Sequence, residues 1–114
     1  MIRSKDIGTE SKDTGCCIVL TTTDDKNIAD KIATELVQGN LAACVQIDET
    51  IGFFKWEGKF SQGKEYRLMI KTTSKNYNNV EELVLINHNY ILPQIVKLDI
   101  TAGLPQYLDW IKSL

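Results

Sequence analysis

The chain has 114 residues, 43% of them hydrophobic and 25% charged, with thirteen basic side chains against fifteen acidic ones. That is material for one domain with its own core, and a net charge of −2 excludes a nucleic-acid partner held mainly by phosphate neutralisation. Three cysteines, Cys16, Cys17 and Cys44, are too few for a disulfide scaffold and fit a reducing, cytoplasmic setting, while no apolar run is long enough to span a membrane.

Residues 1–15 carry charge without an apolar stretch, which predicts a disordered lead-in and not a secretory signal. The domain proper is expected at 16–114. Cys17 to Thr23 is β-branched and apolar and reads as a buried strand. Asp24-Asp25 offers helix-capping carboxylates. Ile28, Ala29, Ile32, Ala33, Leu36 and Val37 then recur at helical spacing, and Gly39-Asn40 supplies a left-handed stop. Leu41 to Ile47 begins a second strand, Glu57-Gly58-Lys59 has turn chemistry, and Tyr66, Leu68 and Ile70 alternate with Arg67, Met69 and Lys71. Residues 41–72 therefore predict a long hairpin, with a bend expected at Gly52. A second helix runs through Tyr77, Val80, Leu83 and Val84, with Ser74, Asn76 or Asn78 as candidate caps. Pro93 prevents its continuation. Ile95 to Ile100 is the last strand, and a short terminal helix carries Tyr107, Leu108, Trp110 and Ile111.

The order β-α-β-β-α-β with one added helix predicts an α+β, ferredoxin-like sandwich, an antiparallel sheet covered on one face by two helices. Its first strand lies between the third and fourth. Cys17 and Cys44 are then two strand spacings apart, about 10 Å, too far to bridge. The uncovered sheet face needs a partner if it is apolar.

Chemistry concentrates at Asn87-His88-Asn89-Tyr90-Ile91-Leu92-Pro93-Gln94, which holds the only histidine. His88 is a candidate metal ligand or pH switch, and equally a residue facing the last carbonyls of the second helix. The chain shows no HxH, CxxC or HExxH spacing, no assignable nucleophile–base set and no phosphate-binding glycine loop, so a binding protein is expected and not an enzyme. Cys17 and Cys44 are expected as small buried hydrophobes, with Cys16 the accessible one. Phe53, Phe54, Trp56 and Phe60 exceed what one hairpin end buries by itself, which points to a subunit contact. The RNA-reading aromatic pattern is absent.

Leu41-Ala42-Ala43-Cys44-Val45, Trp56-Glu57-Gly58-Lys59, Glu65, Ile70-Lys71-Thr72-Thr73, His88 with Tyr90 and Pro93, and Tyr107-Leu108-Asp109-Trp110-Ile111 together resemble the CutA family of divalent-cation tolerance proteins, in family order. The resemblance implies a tight homotrimer with architecture similar to the nitrogen-signalling PII proteins. It also implies an intersubunit cleft gathering Trp56, Glu65, Lys71, His88 and Tyr90, and copper or another divalent cation as the candidate ligand of His88. Bacterial relatives hold copper with a cysteine late in the first strand and a His-His pair before Pro-Tyr. The matching positions here are Thr21, Asn87 and His88. Asn89 stands in place of proline, which is expected to loosen the backbone before Tyr90, and Gln94 in place of glutamate. Two functions follow: a metal-responsive trimer using His88, or a PII-like trimer binding a small anionic metabolite beside Lys71, Glu65 and Tyr90.

Overall fold

The computed structural model describes residues 13–114. The expected lead-in lies outside the described residues as far as residue 12. Within them, Thr14 donates its hydroxyl to the Ile100 carbonyl, and Ser74 donates its N–H to the Gly15 carbonyl at 2.9 Å. The chain is thus tied to the domain from Thr14 onward.

The elements are β1 (Cys16–Thr23), α1 (Lys26–Gln38), β2 (Cys44–Trp56), β3 (Lys59–Thr73), a 3₁₀ turn (Ser74–Asn76), α2 (Tyr77–Asn87), β4 (Ile95–Asp99) and α3 (Pro105–Lys112). The sheet order is β2-β3-β1-β4, with every neighbouring pair antiparallel. This is the expected ferredoxin-like arrangement, and it keeps Cys17 and Cys44 on non-adjacent strands, all three cysteines being free.

Local chemistry fixes the ends. Asp25 caps α1 by accepting from the Asn27 and Ile28 N–H groups at 2.8 and 3.2 Å. After α1, Asn40 and not Gly39 takes the left-handed conformation, at φ 60°; an asparagine tolerates it because its short polar side chain costs little there. At the hairpin tip Glu57 and Gly58 both have positive φ, 51° and 81°, the two-residue turn whose twist matches its strands. The second helical segment is opened by Thr73, whose hydroxyl accepts from the Asn76 N–H at 3.3 Å, whereas Asn76 makes no capping bond with its side chain.

One face of the sheet forms the main core. Val19, Leu68 and Ile70 meet Ala29, Ile32 and Leu36 of α1 and Val80 and Val84 of α2, all fully buried. On the opposite face α3 lies across the Cys16 end of β1, packing Leu108 and Ile111 against Cys16. That corrects the expectation for the cysteines: Cys16 is buried with its thiol directed at the Leu108 carbonyl, and Cys44 is the half-buried one. Burial pushes the Cys17 thiol up.

The hairpin is longer than the sheet it belongs to. β1 pairs with β3 only over Tyr66–Thr73, whereas β2 pairs with β3 all the way from Cys44↔Lys71 to Trp56↔Lys59. Residues 59–65 and 50–56 therefore form a two-stranded arm, about 20 Å long at the usual strand rise. The expected bend at Gly52 is absent: the register passes through Gly52↔Gly63 without an extra residue. The arm leaves Ile51, Phe53 and Phe60 at 63–67% exposure.

Candidate functional site

Where the arm leaves the sheet, the segment after α2 folds back onto the end of β1. His88 ends α2 in an extended conformation, which turns the chain toward Thr22–Asp24. Its Nε2 donates to the Thr22 carbonyl at 2.8 Å, and its Nδ1 accepts the Tyr90 N–H at 3.1 Å. The Tyr90 N–H can only donate, so the ring carries its proton on Nε2. Asn89 places its carboxamide oxygen 2.7 Å from the Thr23 hydroxyl and donates Nδ2 to Asp24 at 2.9 Å. The asparagine that stands in place of proline ties the segment to the end of β1 through its side chain.

These bonds aim Tyr90 across the cleft, where its hydroxyl donates to Glu65 Oε2 at 2.9 Å. The phenol ring packs against the His88 imidazole with centroids 4.9 Å apart. Burial, reinforced by the bond to the anionic Glu65, pushes the Tyr90 phenol well above its usual range. Diagonally across the arm from Glu65, Gly52 has no side chain: a Cβ there would lie 2.6 Å from Glu65 Oε1. A strand glycine marks such a close approach, and this is what Gly52 does in place of a bend.

The resulting cavity measures about 590 Å³ and is lined by Thr22, Asp24, Gly52, Phe53, Phe54, Trp56, Glu65, Tyr90, Ile91, Leu92 and Gln94. Of the residues expected in one cleft, Trp56, Glu65 and Tyr90 come together here, with His88 directly behind Tyr90. Lys71 does not line it. It lies six residues farther along β3, about 20 Å away by strand rise, with its ammonium 5.5 Å from the Tyr107 ring of α3. Asp24 and Gly52 were not expected in the site. Asp24 looked like a helix cap, and only its placement beside Asp25, the actual cap, hinted at a second role.

A copper ion at the family's three positions does not fit this chain. Thr21 is fully buried, its hydroxyl has no hydrogen-bond partner among the described residues, and it is absent from the cleft lining. Asn87 spends its amide on the Leu83 carbonyl at 3.0 Å and on Glu35 at 3.1 Å. Both nitrogens of His88 are spent on backbone groups. Among the described residues no three His, Cys, Asp or Glu side chains are grouped to hold a metal.

The family model described as "CutA1 divalent ion tolerance protein" matches residues 17–114. The chain is 40% identical over 83 residues to the divalent-cation tolerance protein CutA of Archaeoglobus fulgidus, which covers 73% of this chain and 81% of that protein. It is 36% identical over 104 residues to the chloroplastic protein CutA of Arabidopsis thaliana, covering 90% of this chain and 57% of that protein. The solved structure of CutA1 from the psychrotrophic bacterium Shewanella sp. SIB1 is similar with a TM-score of 0.83 at 36% identity, covering 87% of this chain and 94% of the other.

Two outcomes follow from the site geometry. A tyrosine whose folded-state pKa is raised stabilises the fold fully below the unfolded value of about 10, and that stabilisation is lost as pH rises above it. Urea unfolding at about pH 9 and about pH 11 should therefore show a larger loss of stability for the wild type than for Tyr90→Phe; equal losses would contradict the buried phenol–carboxylate pair. Calorimetric titration with copper(II) chloride should give the same heats for the wild type and His88→Ala, because the imidazole offers no free lone pair. Binding that disappears in His88→Ala would overturn this.

Proposed function

The chain belongs to the CutA1 divalent ion tolerance family, and from that premise we propose that it works as a homotrimer whose arm-root cleft binds a small ligand, without a metal centre inside one subunit. The observation that carries the assembly is the arm. An isolated two-stranded ribbon is marginally stable in water, and this one presents Phe53, Phe54, Trp56 and Phe60 at 43–67% exposure. Aromatic groups of that size, concentrated at one end of a domain, are characteristic of subunit contacts. On the open face of the sheet Val96 and Leu98 are likewise 42% and 51% exposed, which extends the uncovered apolar surface.

The ligand reading rests on the cleft. Its volume is that of a small-molecule site, and aromatic walls with a few placed polar groups are what such sites use. Binding and not catalysis is proposed because the cleft's polar groups are a carboxylate–phenol pair, a further carboxylate, a threonine and a glutamine, with no nucleophile paired to a base. The relatives' names tie them to divalent-cation tolerance. In this chain the same role would run through the assembly and its cleft, in a reducing compartment where three free cysteines persist.

Light scattering on the purified protein should give three times the subunit mass. Phe53→Asp combined with Phe60→Asp should lower it, because two charges cannot be buried at a contact without partners. A folded monomer of the wild type at micromolar concentration would overturn the assembly.

A further inference from the structure

The arm is joined to the rest of its subunit at one polar point. Beyond Tyr66 its two strands pair only with each other. Among the described residues, the 2.9 Å bond from the Tyr90 hydroxyl to Glu65 is the one hydrogen bond or ion pair that links residues 50–56 and 59–65 to chain outside the β2–β3 hairpin. The Lys64 ion pair with Glu49 stays within that hairpin. On the arm side the Glu65 carboxylate reaches across to the other strand, with Oε1 lying where a Cβ of Gly52 would be, so one group engages both strands. On the domain side Tyr90 is itself held: its N–H donates to His88, whose other nitrogen donates to the Thr22 carbonyl, and Asn89 bonds Thr23 and Asp24. A ribbon without a third strand has little else to fix its direction. Over an arm of ~20 Å, a tilt of about 15° at the root moves the tip by about 5 Å, a full strand spacing.

From this single tie we infer that Tyr90 and Glu65 form a catch that sets the direction of the arm in the unassembled subunit, and with it the rate at which subunits come together. All of these bonds lie within one chain, so the free subunit holds them before any other copy arrives. Only subunits whose arm already points correctly can dock, and the association rate falls with the fraction that do. A bond from a hydroxyl to a carboxylate is of the stronger, charge-assisted kind, and holding a segment in its bound conformation raises affinity by lowering the cost of ordering it. Once other copies cover the arm, their contacts hold it and the catch adds little. The inference rests on the proposed assembly, and adds which bond prepares the subunit for it.

The test unfolds the full chain in guanidinium chloride and refolds it by dilution, with circular dichroism following the subunit and light scattering the gain of mass. Tyr90→Phe removes only the hydroxyl. It should slow the gain of mass about fivefold or more while the circular dichroism phase stays within about twofold of the wild type. Glu65→Gln still offers the hydroxyl an acceptor and should gain mass within about twofold of the wild-type rate. A gain of mass at the wild-type rate in Tyr90→Phe would overturn the catch and leave the assembly standing. Equal slowing of both signals would also overturn it, because the effect would then lie in folding of the subunit. So would a Glu65→Gln protein as slow as Tyr90→Phe, because charge and not the bond would then be responsible. A wild type that refolds to a stable monomer would overturn assembly and catch together. Should Tyr90→Phe fail to regain its circular dichroism, Gly52→Ala, whose Cβ displaces the carboxylate, carries the same decision with the same slowing expected.

Discussion

The mismatch in length between β3 and β1 is the constraint from which the rest follows. β3 has 15 residues and β1 has 8, so the far half of β3 has a neighbour on one side only. A ribbon of that kind cannot bury its own side chains, because a two-stranded sheet has no third layer to cover it. The sequence nevertheless fills it with phenylalanines and a tryptophan. Both features make physical sense only if something else covers the arm, and the proposed trimer supplies that cover from other copies of the same chain.

The cleft is a second consequence of the same overhang. At the point where β1 ends, Glu65 is the first residue of β3 with no strand on its β1 side. The loop after α2 fills that place: Thr22, Thr23 and Asp24 each receive a hydrogen bond from the loop or make one to it, and Tyr90 reaches across to Glu65. The loop thereby ties the end of the sheet to the root of the arm. The histidine belongs to this fastening, with its two nitrogens holding Thr22 and Tyr90. In this chain the imidazole acts as a positioning group for the phenol, which is a different task from holding a metal.

Much of the fold was legible because the local signals agreed with one another. The helical stripe from Ile28 to Val37, the Glu57-Gly58 turn and the alternation from Tyr66 to Ile70 all specify the same topology. At the site, Trp56, Glu65 and Tyr90 meet within one subunit, while Lys71, grouped with them by family analogy in a cleft between subunits, lies at the other end of β3 of that subunit. Where other expectations differ from the structure, the causes are physical. Cys16 looked accessible at a strand start until α3 folded back over it, a long-range contact that no local pattern reveals. Gly52 suggested a bend, whereas its absent side chain makes room for a carboxylate 13 residues away in sequence, and pairing register decides between those uses. Asn89 was read as a loss of rigidity, because a missing proline is visible in sequence and a hydrogen bond to Thr23 is not.

The central claim is that the arm is a covered structural element and not a frayed extension. Amide hydrogen exchange resolves this directly, since it reports local opening segment by segment. At micromolar concentration the amides of residues 50–56 and 59–65 should be protected to a degree comparable with those of β1 and the sheet half of β3. Exchange of the arm orders of magnitude faster than that of β1, in a protein whose sheet stays protected, would contradict the account.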